Sequence, residues 1–210
     1  MSESTAVSEP TALSESTAVS ESTAVSELKI FSDTDADTVI LHSTDSRQIA
    51  EELARVGVRF EQWSATAPVK AGDSTEQVLA AYRSDIDKLV AEAGYQTVDV
   101  ISLDATDNPE VQAKVPELRE KFLSEHRHSE DEVRFFVDGQ GLFSLHLGDR
   151  VYEVLCQKGD LISVPANTPH WFDMGPNPRF VAIRFFDNPE GWVANYTGSH
   201  IAELFSRLES

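Results

Sequence analysis

The spacing of apolar residues changes along this chain of 210 residues, and its N-terminal segment has too few of them to form a hydrophobic core. Residues 2–27 repeat the hexapeptide SESTAV or SEPTAL, which offers a single Val or Leu per unit. So little apolar surface cannot offset the entropy lost when a chain is ordered. A β-solenoid with six-residue rungs would need larger apolar residues and a capping unit. We therefore predict a disordered tail over residues 1–27 and a single folded domain over residues 28–210.

Apolar residues at helical spacing alternate with short strand-like runs between residues 46 and 122. Ser74 with Gln77 three residues later has the pattern of a capping box, and Pro109 suits the first turn of a helix. The predicted elements are a helix from Ser46 to Gly57, a strand from Arg59 to Trp63, a helix from Ser74 to Gly94, a strand from Tyr95 to Leu103 and a helix from Asn108 to Phe122.

Short β-rich runs separated by turn residues fill the region from Glu132 to Phe186. Several short strands at this spacing are typical of an antiparallel barrel or sandwich. The apolar spacing of residues 201–208 predicts one more helix, packed on the outside. The fold class is therefore mainly β with flanking helices, an α+β domain.

Charge and cysteine content narrow the class of protein. Asp and Glu outnumber Lys and Arg by 36 to 17, and a net charge of −19 argues against a nucleic acid or an anionic membrane as partner. No apolar run approaches the roughly 18 residues of a membrane helix, and residues 1–27 lack a secretory signal pattern. The lone Cys156 cannot form an internal disulfide, which fits a reducing compartment. We expect a cytoplasmic protein, and nothing in the sequence demands more than a monomer.

Three histidines and one glutamate have the spacing of a metal site: His126, His128, Glu132 and His170. In an extended strand, residues i and i+2 project from the same face, so His126 and His128 can reach one ion. Two such histidines alone are a weak signal, because surface pairs are common. With a carboxylate and a third imidazole, the set suits one divalent transition ion per chain, such as iron, nickel, manganese or copper. We expect His146 to be a hydrogen-bonded barrel residue, His42 and His200 to lie at the surface, and Cys156 to be a buried, inert thiol.

Strand alternation extends the site beyond the ligands. If Glu132 faces the barrel interior, Arg134 does so as well, and a buried cation needs an anionic partner. Arg134 is therefore a candidate for binding a substrate anion or a developing oxyanion, unless it pairs with a buried acid of the fold. Arg184 poses the same question on another apolar strand. Aromatic candidates for the walls of an apolar pocket are Phe122, Phe172 and Trp192.

These residues fall in motifs that resemble the cupin superfamily and, within it, the bacterial acireductone dioxygenases. The motifs are SEHRH (124–128), DEVRFF (131–136), KGDLISVP (158–165), TPHWF (168–172) and IRFFD (183–187), and the resemblance spans residues 28–208. Two glycines of the general cupin pattern are replaced, by Glu120 and by Asn167, and neither position is a predicted ligand. Asn tolerates the left-handed conformation that such a turn needs.

The resemblance implies a double-stranded β-helix that holds iron(II) or nickel(II) through His126, His128, Glu132 and His170. The implied reaction, in methionine salvage, is cleavage of an acireductone (1,2-dihydroxy-3-keto-5-methylthiopentene) by dioxygen. The iron(II) form would give formate and 4-methylthio-2-oxobutanoate, and the nickel(II) form formate, carbon monoxide and 3-methylthiopropanoate. Two alternatives remain open: a cupin that binds a metal or small molecule without catalysis, and another cupin enzyme such as a sugar isomerase or flavonol dioxygenase.

Overall fold

A computed structural model describes residues 25–106, 108–188 and 193–209. The predicted tail lies outside the described residues as far as residue 24, and so does Trp192. The end of that tail belongs to the fold. Ser26 is buried and its hydroxyl donates a hydrogen bond to the carboxylate of Asp160, while Glu27 begins the first strand. The predicted boundary at residue 28 is therefore two residues late, because Ser26 anchors the chain before the first apolar residue.

The described residues form eleven strands and four α-helices, which confirms the predicted class. The strands are β1 (Glu27–Ser32), β2 (Asp35–Ser43), β3 (Arg59–Gln62), β4 (Thr97–Asp104), β5 (His126–Arg127), β6 (Glu132–Leu147), β7 (Arg150–Gln157), β8 (Asp160–Val164), β9 (His170–Asp173), β10 (Arg179–Phe186) and β11 (Asn195–Tyr196). The helices are α1 (Ser46–Ala54), α2 (Thr75–Ala81), α3 (Arg83–Ala93) and α4 (Pro109–Leu123). None of these helices is both long and apolar enough to cross a membrane.

The long strand β6 belongs to two antiparallel layers. Its first half pairs with β8 and β10, which extend to β3 and β4. Its second half pairs with β7 and β9, which extend to β1 and β2 on one side and to β5 and β11 on the other. The strand turns between the layers at Gly139, which has φ +70° and lies so close to the backbone of Arg179 and Phe180 that a side chain would clash.

Alternation along the strands separates an interior from two covered outer faces. Interior side chains such as Phe136, Phe143 and Phe172 form one cluster between the layers. The outer face of the first layer, with Val133 and Phe135, packs against α2 and α3. The outer face of the second layer packs against the chain's last residues, a cluster of Phe31, Val151, Trp171, Ala202 and Phe205. Both layers therefore have an outer face that is covered over its central strands, whereas the edge strand β2 is mostly exposed.

Two predicted helices differ in the structure. The helix expected from Ser74 to Gly94 begins with the predicted capping box but breaks at Tyr82, which separates α2 from α3. The ring of Tyr82 is buried edge-on against Phe135 at 5.5 Å, and the break keeps it in the core. The helix predicted over residues 201–208 is wrong, because only a single 3-10 turn forms at Ile201–Glu203.

The chain's last residues are attached by side chains instead of by helical bonds. The N–H of Leu208 donates to the carboxylate of Asp173, and its carbonyl accepts from Arg119. Arg119 and Asp173 also form a bidentate pair, with nitrogen–oxygen distances of 2.7 and 2.9 Å. Since a helix would satisfy the Leu208 N–H internally, this attachment favours an extended end.

Replacing the buried Glu153 should stabilise the protein at alkaline pH. Burial raises the pKa of this carboxyl, which lies on the outer face of β7, to about 7. The folded protein therefore holds a proton that the unfolded chain releases near pH 4.3, so wild-type stability falls as pH rises through this interval. Glu153→Gln removes that loss. We expect it to exceed wild type by on the order of 2 kcal/mol in urea unfolding at pH 8, and to match it near pH 4.5.

Glu209→Gln, at an exposed carboxylate nearby, is the control and should show no such difference. Equal effects of Glu153→Gln at both pH values would contradict the assignment.

Candidate metal centre

The structure brings the four predicted ligands together at one end of the interior. His126 lies in β5, His128 directly follows it, and Glu132 and His170 begin β6 and β9. His126 and His170 are paired across β5 and β9. One donor atom from each of the four residues lies within 4.8 Å of the others, and all four residues are buried. The group could therefore hold a metal ion.

Backbone carbonyls fix the orientation of all three imidazoles. The Nδ1 atoms of His126, His128 and His170 lie 2.8, 3.0 and 2.8 Å from carbonyl oxygens. A carbonyl can only accept, so each Nδ1 carries a proton, which leaves Nε2 as the nitrogen that can bind a metal ion. The three carbonyls belong to Ser124, Val193 and Thr168, respectively. This is the arrangement found around metal-binding histidines, in which the second nitrogen is held by the protein.

Glu132 completes the donor set as an anion. Its Oε2 lies 2.8 Å from Nε2 of His170 and 3.2 Å from Nε2 of His128, and its Oε1 lies 2.6 Å from Nη2 of Arg134. Burial alone would raise the pKa of Glu132, but Arg134 and His170 outweigh it and hold the pKa well below its usual range. The carboxylate therefore lies within hydrogen-bond distance of the Nε2 atom of His170, and a divalent cation bound by all four residues would take the place of the proton in this contact. The donor set fits a first-row transition ion.

Desolvation keeps His126 ready to act as a ligand. Burial, together with the neighbouring His170 imidazole, lowers the pKa of His126 to about 4. The ring is therefore neutral at pH 7, as metal coordination requires.

Arg134 lies beside the donor set in an aromatic box. It is buried, and the carbon of its guanidinium lies 4.5 Å from the ring centroid of Phe172 and 5.2 Å from that of Phe143. Phe122 stands edge-on to Phe172, with the centroids 6.4 Å apart. The sequence left open whether Arg134 pairs with a buried acid of the fold. It does, and that acid is the predicted ligand Glu132. One guanidinium thus touches the metal centre and an apolar wall.

Arg184 has a partner of its own. It lies opposite Arg134 where β10 pairs with β6, and it forms a bidentate pair with Asp99, with nitrogen–oxygen distances of 2.8 and 2.6 Å. Its role in substrate binding therefore stays a prediction. Trp192 lies outside the described residues.

Comparison with known proteins connects this geometry to a family. A sequence profile of the ARD/ARD′ family matches residues 27–194. The chain belongs to this family. Among its relatives, acireductone dioxygenases of Alcanivorax borkumensis and Klebsiella pneumoniae are each 61% identical over 181 residues, covering 86% of this chain and 97% and 98% of theirs. Family membership and the four-residue metal site make the chain a metal-binding dioxygenase.

A solved structure of the ARD family supports the fold. An acireductone dioxygenase from Bacillus anthracis, with a cadmium ion in its active centre, aligns with a TM-score of 0.69 and 30% identity. The alignment covers 82% of this chain and 99% of that one. The jelly-roll architecture expected from the sequence is thereby confirmed.

The remaining histidines and the cysteine lie where the sequence placed them. Nδ1 of His146 is 2.8 Å from the carboxylate of Glu125, so this histidine is hydrogen-bonded as predicted. His42 and His200 are exposed. Cys156 is buried and forms no disulfide, and burial raises the pKa of its thiol well above the ordinary value. The thiol is therefore not activated as a nucleophile.

Sequence reasoning missed Phe143 and the three carbonyls. Phe143 follows the turn at Gly139, where a register irregularity in the pairing of β6 with β10 accompanies the change of layer. The Gly139–Gly141 pair was the available signal that simple alternation would fail. The carbonyls have no side-chain signature, so no residue type could reveal them.

The loop before His170 depends on Asn167, which has φ +62° and is the only non-glycine residue with positive φ in the described part of the chain. Its N–H donates to the carbonyl of His128, and the N–H of Ala166 donates to Asp131. The left-handed residue therefore docks one ligand-bearing loop onto the other. The second replaced glycine position, Glu120, is exposed on α4.

Substitutions at Asn167 should separate backbone strain from side-chain chemistry. We expect Asn167→Ala to lower the free energy of unfolding by about 1 kcal/mol, because Ala resists positive φ, and to weaken nickel(II) binding. Asn167→Gly should stay within about 0.5 kcal/mol of wild type in both respects. Urea unfolding and a competition titration with a nickel chelator measure the two effects. A glycine variant weaker than the alanine variant would contradict this account.

Proposed function

We propose that this enzyme cleaves an acireductone with dioxygen in methionine salvage. It would use one ion of iron(II) or nickel(II) per chain and act as a cytoplasmic monomer. The observation that carries the proposal is the buried Arg134, which joins a three-histidine, one-glutamate donor set to an apolar wall. The names of the relatives support the same substrate class.

The residues divide the work between charge and shape. When bound, the metal ion supplies a Lewis acid for the enediolate oxygens of the substrate. His126, His128, Glu132 and His170 would hold that ion. Arg134 contributes a fixed positive charge in a site from which water is largely excluded, where it stabilises an anionic substrate and the charge that develops on its oxygens. Such a charge is effective because the protein does not reorganise to supply it.

Specificity for the methylthio end would come from the aromatic side chains. Phe172 contacts both Arg134 and Phe122, so an apolar group beside it lies next to the charged end of the site. We propose that Phe122, Phe172 and Trp192 receive the thioether, and that Arg184 adds to the positive field from the opposite strand. Thioether sulfur packs favourably against aromatic rings.

Metal replacement tests the reaction and its products. The metal-free protein is loaded with iron(II) or nickel(II) under nitrogen, and synthetic acireductone and dioxygen are then added. We expect both forms to consume dioxygen, the nickel form to release carbon monoxide, and the iron form to yield 4-methylthio-2-oxobutanoate. Oxygen uptake no faster than spontaneous oxidation in either form would refute the proposal and favour a non-enzymatic binding protein. His170→Ala, which removes one predicted ligand, should lose oxygen uptake in both forms, whereas the matched control His200→Ala, at an exposed histidine, should keep it.

Arg134→Met tests the charge while keeping much of the side chain's volume. We expect metal affinity to change only a few-fold, because the ligands are intact, and kcat to fall on the order of 10²–10³-fold. Steady-state oxygen uptake and metal analysis give the two readouts. Arg150→Met, on the β6–β7 hairpin, should behave as wild type. Turnover that survives Arg134→Met would show that the arginine only balances the charge of Glu132.

A further inference from the structure

A cavity lies on the outer face of the layer that contains β7, on the other side of the sheet from the interior that holds the metal centre. It has a volume of about 270 Å³ and is bounded by β1, β6, β7 and the chain's last residues. Glu153 of β7 and Lys29 of β1 are paired in register at its floor, and Arg207 approaches from the C-terminal segment. None of these residues belongs to the metal centre described above.

Buried polar atoms without partners collect at this cavity. Glu153 and Arg207 both line the cavity. Oε1 of Glu153 and Nη1 of Arg207 have no hydrogen-bond partner among the described residues. Glu153 is 94% buried. The amine of Lys29 forms its ion pair with Glu27, at 3.1 Å, instead of with Glu153. Ser144, opposite Glu153 where β6 pairs with β7, lies outside the lining, and its Oγ also has no hydrogen-bond partner among the described residues. Each such group loses the hydrogen bonds that it would make to water in the unfolded chain.

The carboxyl of Glu153 and the guanidinium of Arg207 make opposite demands on an occupant. The carboxyl of Glu153 requires a donor, which an ammonium group provides, and the guanidinium of Arg207 requires an acceptor, which a carboxylate provides. A simple anion would meet Glu27, Glu153 and Glu209, and a metal cation would meet Lys29 and Arg207. Only a ligand that carries both charges satisfies both sides.

The rest of the lining selects the ligand's third group. Leu142, Leu155 and Leu208 contribute apolar surface to the same cavity. We propose that this cavity binds a free α-amino acid with an apolar side chain of about the size of leucine or methionine. Its ammonium group pairs with Glu153, its carboxylate with Arg207, and its side chain packs on the leucines. The cavity volume accommodates an amino acid of this size.

The cavity is separate from the metal centre. Its lining residue on β6 is Leu142, which pairs with Asp173, whereas Leu145, three residues further along β6, pairs with His170. The proposal does not depend on the identity of the substrate at the metal centre, since it is a separate surface.

Calorimetric titration of the full-length, nickel-loaded protein with L-leucine tests the proposal. Two analogues dissect it: 4-methylpentanoate lacks the ammonium group, and 3-methylbutylamine lacks the carboxylate. We expect leucine to bind at least ten-fold more tightly than either analogue. Glu153→Gln and Arg207→Gln should each weaken leucine binding at least ten-fold, whereas Ser206→Ala, at an exposed and uncharged lining residue, should not.

The results decide the matter in either direction. Absence of saturable leucine binding, equal affinities for leucine and the analogues, or unchanged affinity in both variants would overturn the proposal. Circular dichroism confirms that each variant is folded, and Arg207→Gln provides a test that does not alter the sheet. A crystal structure grown with leucine that shows only ordered water between Glu153 and Arg207 would also overturn it.

Discussion

The molecule is organised around one electrostatic constraint: three imidazoles and one carboxylate converge in a buried space and direct their metal-binding atoms at one another. Each imidazole gives its N–H to a backbone carbonyl, and Glu132 is held as an anion by Arg134. A bound cation would be held by all four residues at once, so the free energy of metal binding is also a contribution to folding. The carbonyls come from three separate segments of the chain, before β5, before β9 and before β11. A bound ion therefore links segments that otherwise meet at few points.

Charge is distributed in opposite senses outside and inside the fold. The chain carries a net charge of −19, five of whose negative charges lie in the N-terminal repeat, and an acidic surface disfavours an anionic substrate at long range. Arg134 is buried on the inner side of β6, where the low dielectric strengthens its field, and Arg184 lies opposite it on β10 in an ion pair with Asp99. The stacking of Arg134 between Phe143 and Phe172 keeps this charge in place.

Local sequence patterns predict much of the fold and of the metal centre, and the remainder depends on tertiary contacts. The ligand set was predictable because residue type and spacing carry the chemistry of metal binding, and the inward orientation of Arg134 followed from strand alternation. Strand β2 was not predictable, because most of its residues are exposed and no apolar alternation marks it. The break at Tyr82 and the extended end at Leu208 each depend on a distant partner, Phe135 and Asp173. Local propensity contains no information about such partners.

The two layers share a single continuous strand, and this has a consequence for access. Glu132 and Arg134 lie on the half of β6 that pairs with β8 and β10, whereas Phe143 lies on the half that pairs with β7 and β9. The layers therefore cannot part like the halves of a shell without breaking the strand that carries the site. Substrate therefore has to reach the centre from the end of the barrel at which β5, β6 and β9 begin, without separation of the two layers.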